Sequence, residues 1–289
     1  MARPPINLGR KIKDILKHVE PLPPEAGTPL SHYRRSGTDL WNVLEYVRRA
    51  FDQLGTLKPA VVQRHLARLH GMVLVNLVET FERYLKEVAA ACIDTLGAFV
   101  LDDRFDGFRV QGSVLAVHFG TDTLGKALCE SSTWLDTASI NTRFRSLLAD
   151  PFEDGKFVLF PNAKKDPAAD RERYETLELV WQLRHTVVHN VGVITQSDAV
   201  KFRLLVREEV ASPRFLVPTR EDIRHLKRFL DETADVCNDR LGKRLADLLT
   251  GLHASDPTLF DAKEVADRVT TTFGFVLTVA GVAGTLPPP

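Results

Sequence analysis

The amino-acid sequence predicts a mainly α-helical bundle with a small β-hairpin appendage. From about Lys58 to Leu96, apolar residues such as Leu77, Phe81 and Leu85 recur every three or four positions, which is the spacing of one helix face. The sequence does not alternate strand and helix patterns as a parallel sheet would require. Apolar residues make up 44% of the chain and charged residues 26%, which is typical of a folded globular protein.

The first 55 residues predict a helical extension and a linker. A short basic helix is expected from Leu8 to Val19, and the proline-rich residues 21–29 are expected to be a linker. A second helix is expected from Thr38 to Leu54, because its apolar residues are spaced for one face.

The central domain is expected to span residues 56–250, with an irregular insertion at about 102–166. Within the insertion, residues 114–119 and 157–160 have the pattern of short strands or extended segments. Residues 140–148 have the pattern of a short helix.

Helical periodicity resumes from Arg171 to about His189, after Asp170 as the predicted N-cap. Two strands are expected next, at residues 201–206 and 215–217. A turn at Ser212–Pro213 would join them as a hairpin.

The C-terminal part of the sequence predicts two more helices. Thr219 followed by Asp222 is a helix-start signal, and this helix is expected to run to about Leu249. Residues 251–289 are expected to form a C-terminal helical segment, with a helix from Ala262 to about Val279.

Composition and charge exclude several protein classes. Thirty-eight basic residues balance thirty-eight acidic ones, so any contact with nucleic acid must come from a local patch. Three scattered cysteines argue against a disulfide framework and favour a reducing cytosol. The apolar run from Phe273 to Leu286 is shorter than the roughly 20 residues of a membrane-spanning helix, and no signal peptide is recognisable. A cytoplasmic protein without membrane partners is therefore expected.

Polar side chains crowd the C-terminal end of the helix predicted at 171–189. Arg184 lies on its apolar stripe, where a guanidinium must find an anion or water. His185 and His189 are one turn apart on the adjacent side, and Asn190 follows. Histidine can move protons near neutral pH, and arginine can stabilise a pentacoordinate phosphorane. Residue types alone still favour a structural role, because histidine suits a helix C-terminus and buried arginines often pair with carboxylates.

The stretch from Leu183 to Gly192 resembles the signature of HEPN domains: an arginine, a polar residue, a few mostly apolar positions and a histidine. His185 fills the polar position. Residues 189–192 match the His-Asn-x-Gly ending of the branch often called RiboL-PSP or MAE-type HEPN. Residues 75–85 resemble the first core helix of that branch, and the resemblance covers roughly residues 56–249.

This resemblance implies a metal-independent endoribonuclease without cofactors. It also implies a homodimer in which two arginine–histidine motifs face each other across a shared cleft. His189 would be the acid or base, and Arg184 would hold the scissile phosphate. His185 and Asn190 would orient these groups or bind RNA. Family members often serve as toxins or defence effectors, which implies a neutralising antitoxin protein as a partner.

Other interpretations stay open at this point. Glu79 and Glu82 are candidates for a supporting carboxylate, although charged residues more often lie on a solvated helix face. His185 and His189 could share a zinc ion, but no third ligand stands at a recognisable spacing and no HExxH motif is present. Walker A and nucleophile-elbow motifs are also missing. The main alternative is a catalytically inactive HEPN module that binds RNA, a nucleotide or a partner protein.

Overall fold

The structure is a computed structural model that describes residues 27–53, 58–99, 108, 123–130, 133–149 and 156–287. Over these ranges the chain is mainly helical and has two small antiparallel strand pairs, which confirms the predicted fold class. The helices are α1 (Pro29–Gln53), α2 (Pro59–Leu96), α3 (Leu124–Glu130), α4 (Thr137–Leu147), α5 (Ala168–His189), α6 (Gln196–Val206), α7 (Arg220–Ser255) and α8 (Ala262–Phe273). The strands are β1 (Val193–Ile194), β2 (Arg214–Phe215), β3 (Thr278–Val279) and β4 (Val282–Ala283).

Helix α2 is the centre of the core and contacts α1, α3, α5 and α7. Its apolar stripe is buried, with Val78 and Phe81 inaccessible to solvent. The Tyr84 hydroxyl donates a hydrogen bond of 3.0 Å to the Ala234 carbonyl of α7, so the polar end of this buried ring is satisfied. The periodic stripe therefore predicted the extent of this helix.

Helix α1 begins at Pro29, nine residues before the predicted start at Thr38. Thr28 and Ser31 explain the earlier start because they cap it reciprocally. The Thr28 amide donates to Ser31 Oγ at 2.9 Å, and the Ser31 amide donates to Thr28 Oγ1 at 3.1 Å. Proline is tolerated at the first helical position, where its missing N–H has no intrahelical partner to lose. The helix predicted at residues 8–19 lies outside the described residues.

Part of the predicted irregular insertion is helical. Helix α4 matches the helix expected at 140–148 but begins three residues earlier, where Asp136 caps it through the Ser139 amide. Residues 157–160 form no strand. This segment is held instead by Asn141, whose side chain pairs with the backbone N–H and C=O of Phe160 at 2.9 and 3.0 Å. The strand expected at 114–119 lies outside the described residues.

The predicted N-cap of α5 is wrong. The helix begins at Ala168 after Pro167, and Asp170 lies inside its first turn. Asp170 is buried and accepts hydrogen bonds from Arg240 at 2.6 Å and from Arg173 at 2.8 Å. Two guanidinium partners hold this carboxylate in an ion-pair network, so it does not cap the backbone.

The predicted strand at 201–206 is also wrong, because these residues belong to helix α6. Thr195 and Asp198 form a capping box at its start, and Arg207 ends it in a left-handed conformation. A short apolar run has no clear period, so it fits a strand or a helix equally well. A strand pair does lie where the β appendage was expected, and it consists of Val193–Ile194 and Arg214–Phe215. The connection between the two strands contains helix α6, so the strands are not joined by a tight turn at Ser212–Pro213.

The C-terminal region packs its apolar residues against α7 and α8. The capping box of Thr219 and Asp222 starts α7 as predicted, although the helix continues to Ser255. Helix α8 ends at Phe273, well before the predicted Val279, because Gly274 takes a left-handed conformation with φ of 75°. Strands β3 and β4 follow as a hairpin. No helix in the described ranges has the length and apolar character needed to cross a membrane.

Candidate functional site

Helix α5 ends at an exposed corner that carries most of the predicted site. Its last turn closes with hydrogen bonds from the Asn190 and Gly192 amides to the Thr186 carbonyl, both 3.1 Å long. Val191 and Gly192 then have φ of 52° and 80°. Gly192 adopts this left-handed conformation without steric cost, whereas the β-branched Val191 is strained by about 1–2 kcal/mol. The chain thus reverses directly after His189 and Asn190 and enters β1.

Arg184 lies on the side of α5 that faces α2. Its Nη2 donates to Glu79 Oε1 at 3.1 Å, which joins the two helices across 105 positions of sequence. The Arg184 side chain is 19% exposed and that of Glu79 is 46% exposed, so solvent weakens the pair to at most about 1 kcal/mol. Arg184 Nε is buried and has no hydrogen-bond partner among the described residues. Nε is thus out of reach of a ligand, and a further anion has to bind the Nη groups, of which Nη2 already contacts Glu79.

His185 and His189 lie side by side on the exposed face of α5. Their ring centroids are 4.6 Å apart and the ring planes are inclined by 42°. Both side chains are exposed. Two imidazoles are thus available to a ligand at the end of the helix, where proton transfer can take place.

A single copy of the chain does not bring Arg184 and His189 together. Residues five positions apart on an α-helix, at about 100° per residue, point in directions about 140° apart. Arg184 accordingly meets Glu79 on α2, whereas His189 contacts His185. In the part of the chain that the structure describes, no hydrogen bond, ion pair or ring contact joins Arg184 to His189.

The structure separates the two candidate carboxylates of α2. Glu79 contacts Arg184, as described above. Glu82 faces a different part of the molecule: its Oε1 accepts from the Trp134 amide at 2.9 Å and pairs with Lys86 Nζ at 3.0 Å. Glu82 therefore anchors the segment before α4 and is not brought to the arginine–histidine motif.

Asp198 is a buried carboxylate that sequence reasoning missed. Its Oδ1 accepts from Gln182 Nε2 at 2.9 Å, and its Oδ2 accepts from Asn190 Nδ2 at 2.7 Å. The same Oδ2 accepts from the amide and hydroxyl of Thr195 at 3.1 and 2.8 Å. Asp198 thus ties the end of α5 to the start of α6 and fixes the orientation of Asn190. The signal that could have found it is Thr195-x-x-Asp198, the same pattern that marked the start of α7.

These contacts set the charge of Asp198. Burial by itself raises the pKa of its carboxyl group. The hydrogen bonds from Thr195 and Asn190, together with the nearby His185 imidazole, outweigh burial and hold that pKa below its usual range. Asp198 is therefore a carboxylate at neutral pH and acts as a fixed acceptor near His185.

An open groove of about 380 Å³ runs between α5 and α6 next to the histidines. Its lining includes Glu178, Trp181, Gln182 and His185 from α5, and Lys201 and Leu204 from α6. The groove mixes apolar surface with carboxylate, amide, imidazole and ammonium groups. This mixture is typical of sites that bind small polar molecules.

Comparison with known proteins gives no match: no protein-family model, curated protein or solved structure is similar to the chain. Within the described ranges, no three histidine, cysteine, aspartate or glutamate side chains are grouped so that they could hold a metal ion. The three cysteines are buried free thiols. Any function assigned to the chain therefore depends on the chemistry of the site itself.

Replacement of Asp198 by alanine is expected to destabilise the protein. It should cost about 1 kcal/mol for the lost helix cap and about 1–3 kcal/mol for polar groups left without an acceptor. The folded-state pKa of Asp198 is below the ordinary value of about 3.9. The carboxylate's contribution to the free energy of unfolding is therefore complete above that value, and it is lost as the pH falls through the folded-state pKa. Urea unfolding of wild type and variant, from neutral pH down to about pH 3, measures both effects.

Asp222→Ala is the matched control. Asp222 closes the equivalent capping box on α7, but it is exposed, and among the described residues its side chain accepts hydrogen bonds from Thr219 alone. Loss of the Asp222 side chain should lower the free energy of unfolding only by the contribution of the helix cap, about 1 kcal/mol. Equal losses for the two variants would contradict the buried role of Asp198.

Proposed function

We propose that the chain is a metal-independent endoribonuclease of the HEPN type. The observation that carries this proposal is that the last turns of α5 present two groups on different faces: a partly exposed guanidinium that contacts Glu79, and an exposed imidazole. The resemblance of residues 183–192 to the HEPN signature supports it. A histidine supplies proton transfer near neutral pH, and an arginine supplies fixed positive charge at a phosphate.

In the proposed reaction, the ribose 2′-oxygen attacks the neighbouring phosphorus and the bond to the 5′-oxygen breaks. The products carry a 2′,3′-cyclic phosphate and a 5′-hydroxyl. His189 takes the proton of the 2′-hydroxyl or gives one to the leaving 5′-oxygen. Arg184 stabilises the extra negative charge on the phosphorane oxygens, for which the planar guanidinium fork is well suited. His185 and Asn190 orient these groups or contact RNA.

Glu79 supports Arg184 before substrate binds. The pair is partly exposed, so its net stabilisation is small and a phosphate can compete for the guanidinium. The carboxylate also holds the guanidinium on the side of α5 that faces α2. Glu79 therefore positions Arg184, and no proton transfer through Glu79 is needed.

The complete site requires two copies of the chain. Arg184 and His189 diverge around α5, so a two-fold axis beside the helix would place the arginine of one copy opposite the histidine of the other. The surface around Arg184 has exposed apolar groups suited to such an interface. Met72 lies on the same face of α2 as Glu79, and Val188 lies one turn beyond Arg184; their exposed fractions are 63% and 40%.

Light scattering at micromolar concentration and neutral pH is expected to give the mass of a dimer. Val188→Glu should shift the protein towards monomer, because it places a charge at the centre of the proposed interface. Val43→Glu is the control, since Val43 is an exposed valine on a different helix. A monomeric wild-type chain would contradict the two-copy site.

The second candidate function is RNA binding without cleavage. The existing contact between Arg184 and Glu79 favours it, because a guanidinium that stays with its carboxylate would not reach the scissile phosphate. The toxin or defence role and the antitoxin partner are further parts of the proposal that depend on cleavage. The cytoplasmic location is also proposed, on the cysteine content of the sequence.

Cleavage of total RNA is expected to continue in the presence of EDTA. His189→Ala should reduce the rate by about 10²-fold or more through lost proton transfer. Arg184→Ala should cost a similar factor through lost charge stabilisation, and Arg184→Lys should restore little because lysine lacks the planar fork. The rates and the chemistry of the fragment ends are measured on purified protein.

His225→Ala and Arg228→Ala are the matched controls. Both residues lie exposed on α7 in i, i+4 ion pairs, with Glu221 and Glu232 respectively, so their loss should leave cleavage unchanged. A requirement for divalent metal, or full activity in both site variants, would contradict the mechanism. RNA that binds without being cut would favour the second candidate.

A further inference from the structure

The groove between α5 and α6 lies on the same face of α5 as His185 and His189. Glu178, Gln182, His185 and His189 follow one another at steps of four, three and four residues, so they lie along one face of α5. The first three line the groove. His189 stands one turn beyond His185, about 6 Å further along the helix axis. A ligand in the groove therefore ends beside the proposed catalytic histidine.

The walls of the groove suit a flat apolar body. Leu204 is 73% exposed, and Leu135, Leu205 and Trp181 line the groove with it. Its volume of about 380 Å³ is at the lower end of the range for small-molecule sites, which suits a single nucleotide better than a peptide or a helix. A base that packs against these side chains removes apolar surface from water, which favours binding.

The polar groups on α5 are mainly acceptors. Glu178 Oε1 accepts a 3.3 Å hydrogen bond from the Thr137 amide, and Oε2 has no hydrogen-bond partner among the described residues. Gln182 uses its amide nitrogen on Asp198, so its carbonyl oxygen is the group left for a ligand. Lys201, on the α6 side, contributes an exposed ammonium donor.

This pattern complements guanine better than the other bases. Guanine presents two adjacent N–H donors, N1 and N2, which a carboxylate accepts together in a charge-assisted pair. Its O6 and N7 acceptors match a lysine donor. Adenine, cytosine and uracil each place an acceptor next to their donor on the pairing edge, and this acceptor would face the Glu178 carboxylate.

We propose that the groove binds a guanine base of the RNA substrate, with Glu178 as the residue that reads it. This inference rests on the proposed ribonuclease function. The base lies at Glu178 and the rest of the nucleotide extends past His185, so its own ribose and 3′-phosphate approach His189. Cleavage then follows guanosine, and the 2′-hydroxyl that attacks belongs to the recognised nucleotide.

Calorimetry of the full wild-type chain with 3′-GMP and 3′-AMP tests this site. These probes carry the nucleoside and the phosphate that would be left at the cut. We expect 3′-GMP to bind at least tenfold more tightly than 3′-AMP. Glu178→Gln should remove most of this preference, because the amide replaces one acceptor with a donor that faces the guanine N–H groups. The substituted carbonyl can still accept from Thr137, so the fold should be retained.

Glu175→Gln is the matched control, because Glu175 lies on the same helix, is exposed and pairs with Arg207. It should leave the preference unchanged. Equal binding of both nucleotides, binding of neither, or a preference that survives Glu178→Gln would overturn the inference.

Sequencing of RNA fragments separates this inference from the proposed function. If RNA is cut without preference for guanosine and 3′-GMP does not bind, the guanine site is wrong and the ribonuclease stands. If 3′-GMP binds selectively and no RNA is cut, the guanine site stands and the ribonuclease activity is wrong.

Discussion

Trp181 fixes the rotation of α5 about its axis, and this rotation sets the direction of the polar side chains that α5 contributes to the candidate site. Its ring stacks on Phe81 of α2, with centroids 6.1 Å apart, and its Nε1 donates to Thr137 Oγ1 of α4 at 2.9 Å. A large ring held on two sides cannot turn without breaking the core or losing a buried hydrogen bond. Arg184, one turn further along the helix, is therefore directed towards α2 and Glu79.

The opposite side of α5 is organised by Asp198. This buried carboxylate accepts four hydrogen bonds, which fix Gln182 on α5, Asn190 directly after α5, and Thr195 at the start of α6. This leaves the imidazoles of His185 and His189 exposed on a rigid scaffold. Rigid support of exposed groups is what proton transfer to a bound substrate requires, because small displacements of reacting groups reduce rates strongly.

The sequence predicted those features that depend on local or periodic signals. A 38-residue stripe identified α2, and the capping box at Thr219 identified the start of α7. The apolar run of α6 is short and has no clear period, so the sequence predicts a strand where the chain is helical. The sequence did not predict long-range contacts either. Glu79 and Glu82 are three residues apart on α2, and the packing of the helices alone determines that Glu79 contacts Arg184 and that Glu82 binds the Trp134 amide. The separation of Arg184 from His189, by contrast, follows from helix geometry.

The measurement that tests the two-copy site most directly is complementation in a mixed dimer. Arg184→Ala and His189→Ala chains, carrying different affinity tags, are expressed together and the mixed dimer is purified through both tags. One of its two sites then keeps both residues, and the other has lost both, so the account predicts about half of the wild-type cleavage rate. Dimers of either variant alone should be inactive. A mixed dimer as inactive as its parents would contradict a site shared between two copies.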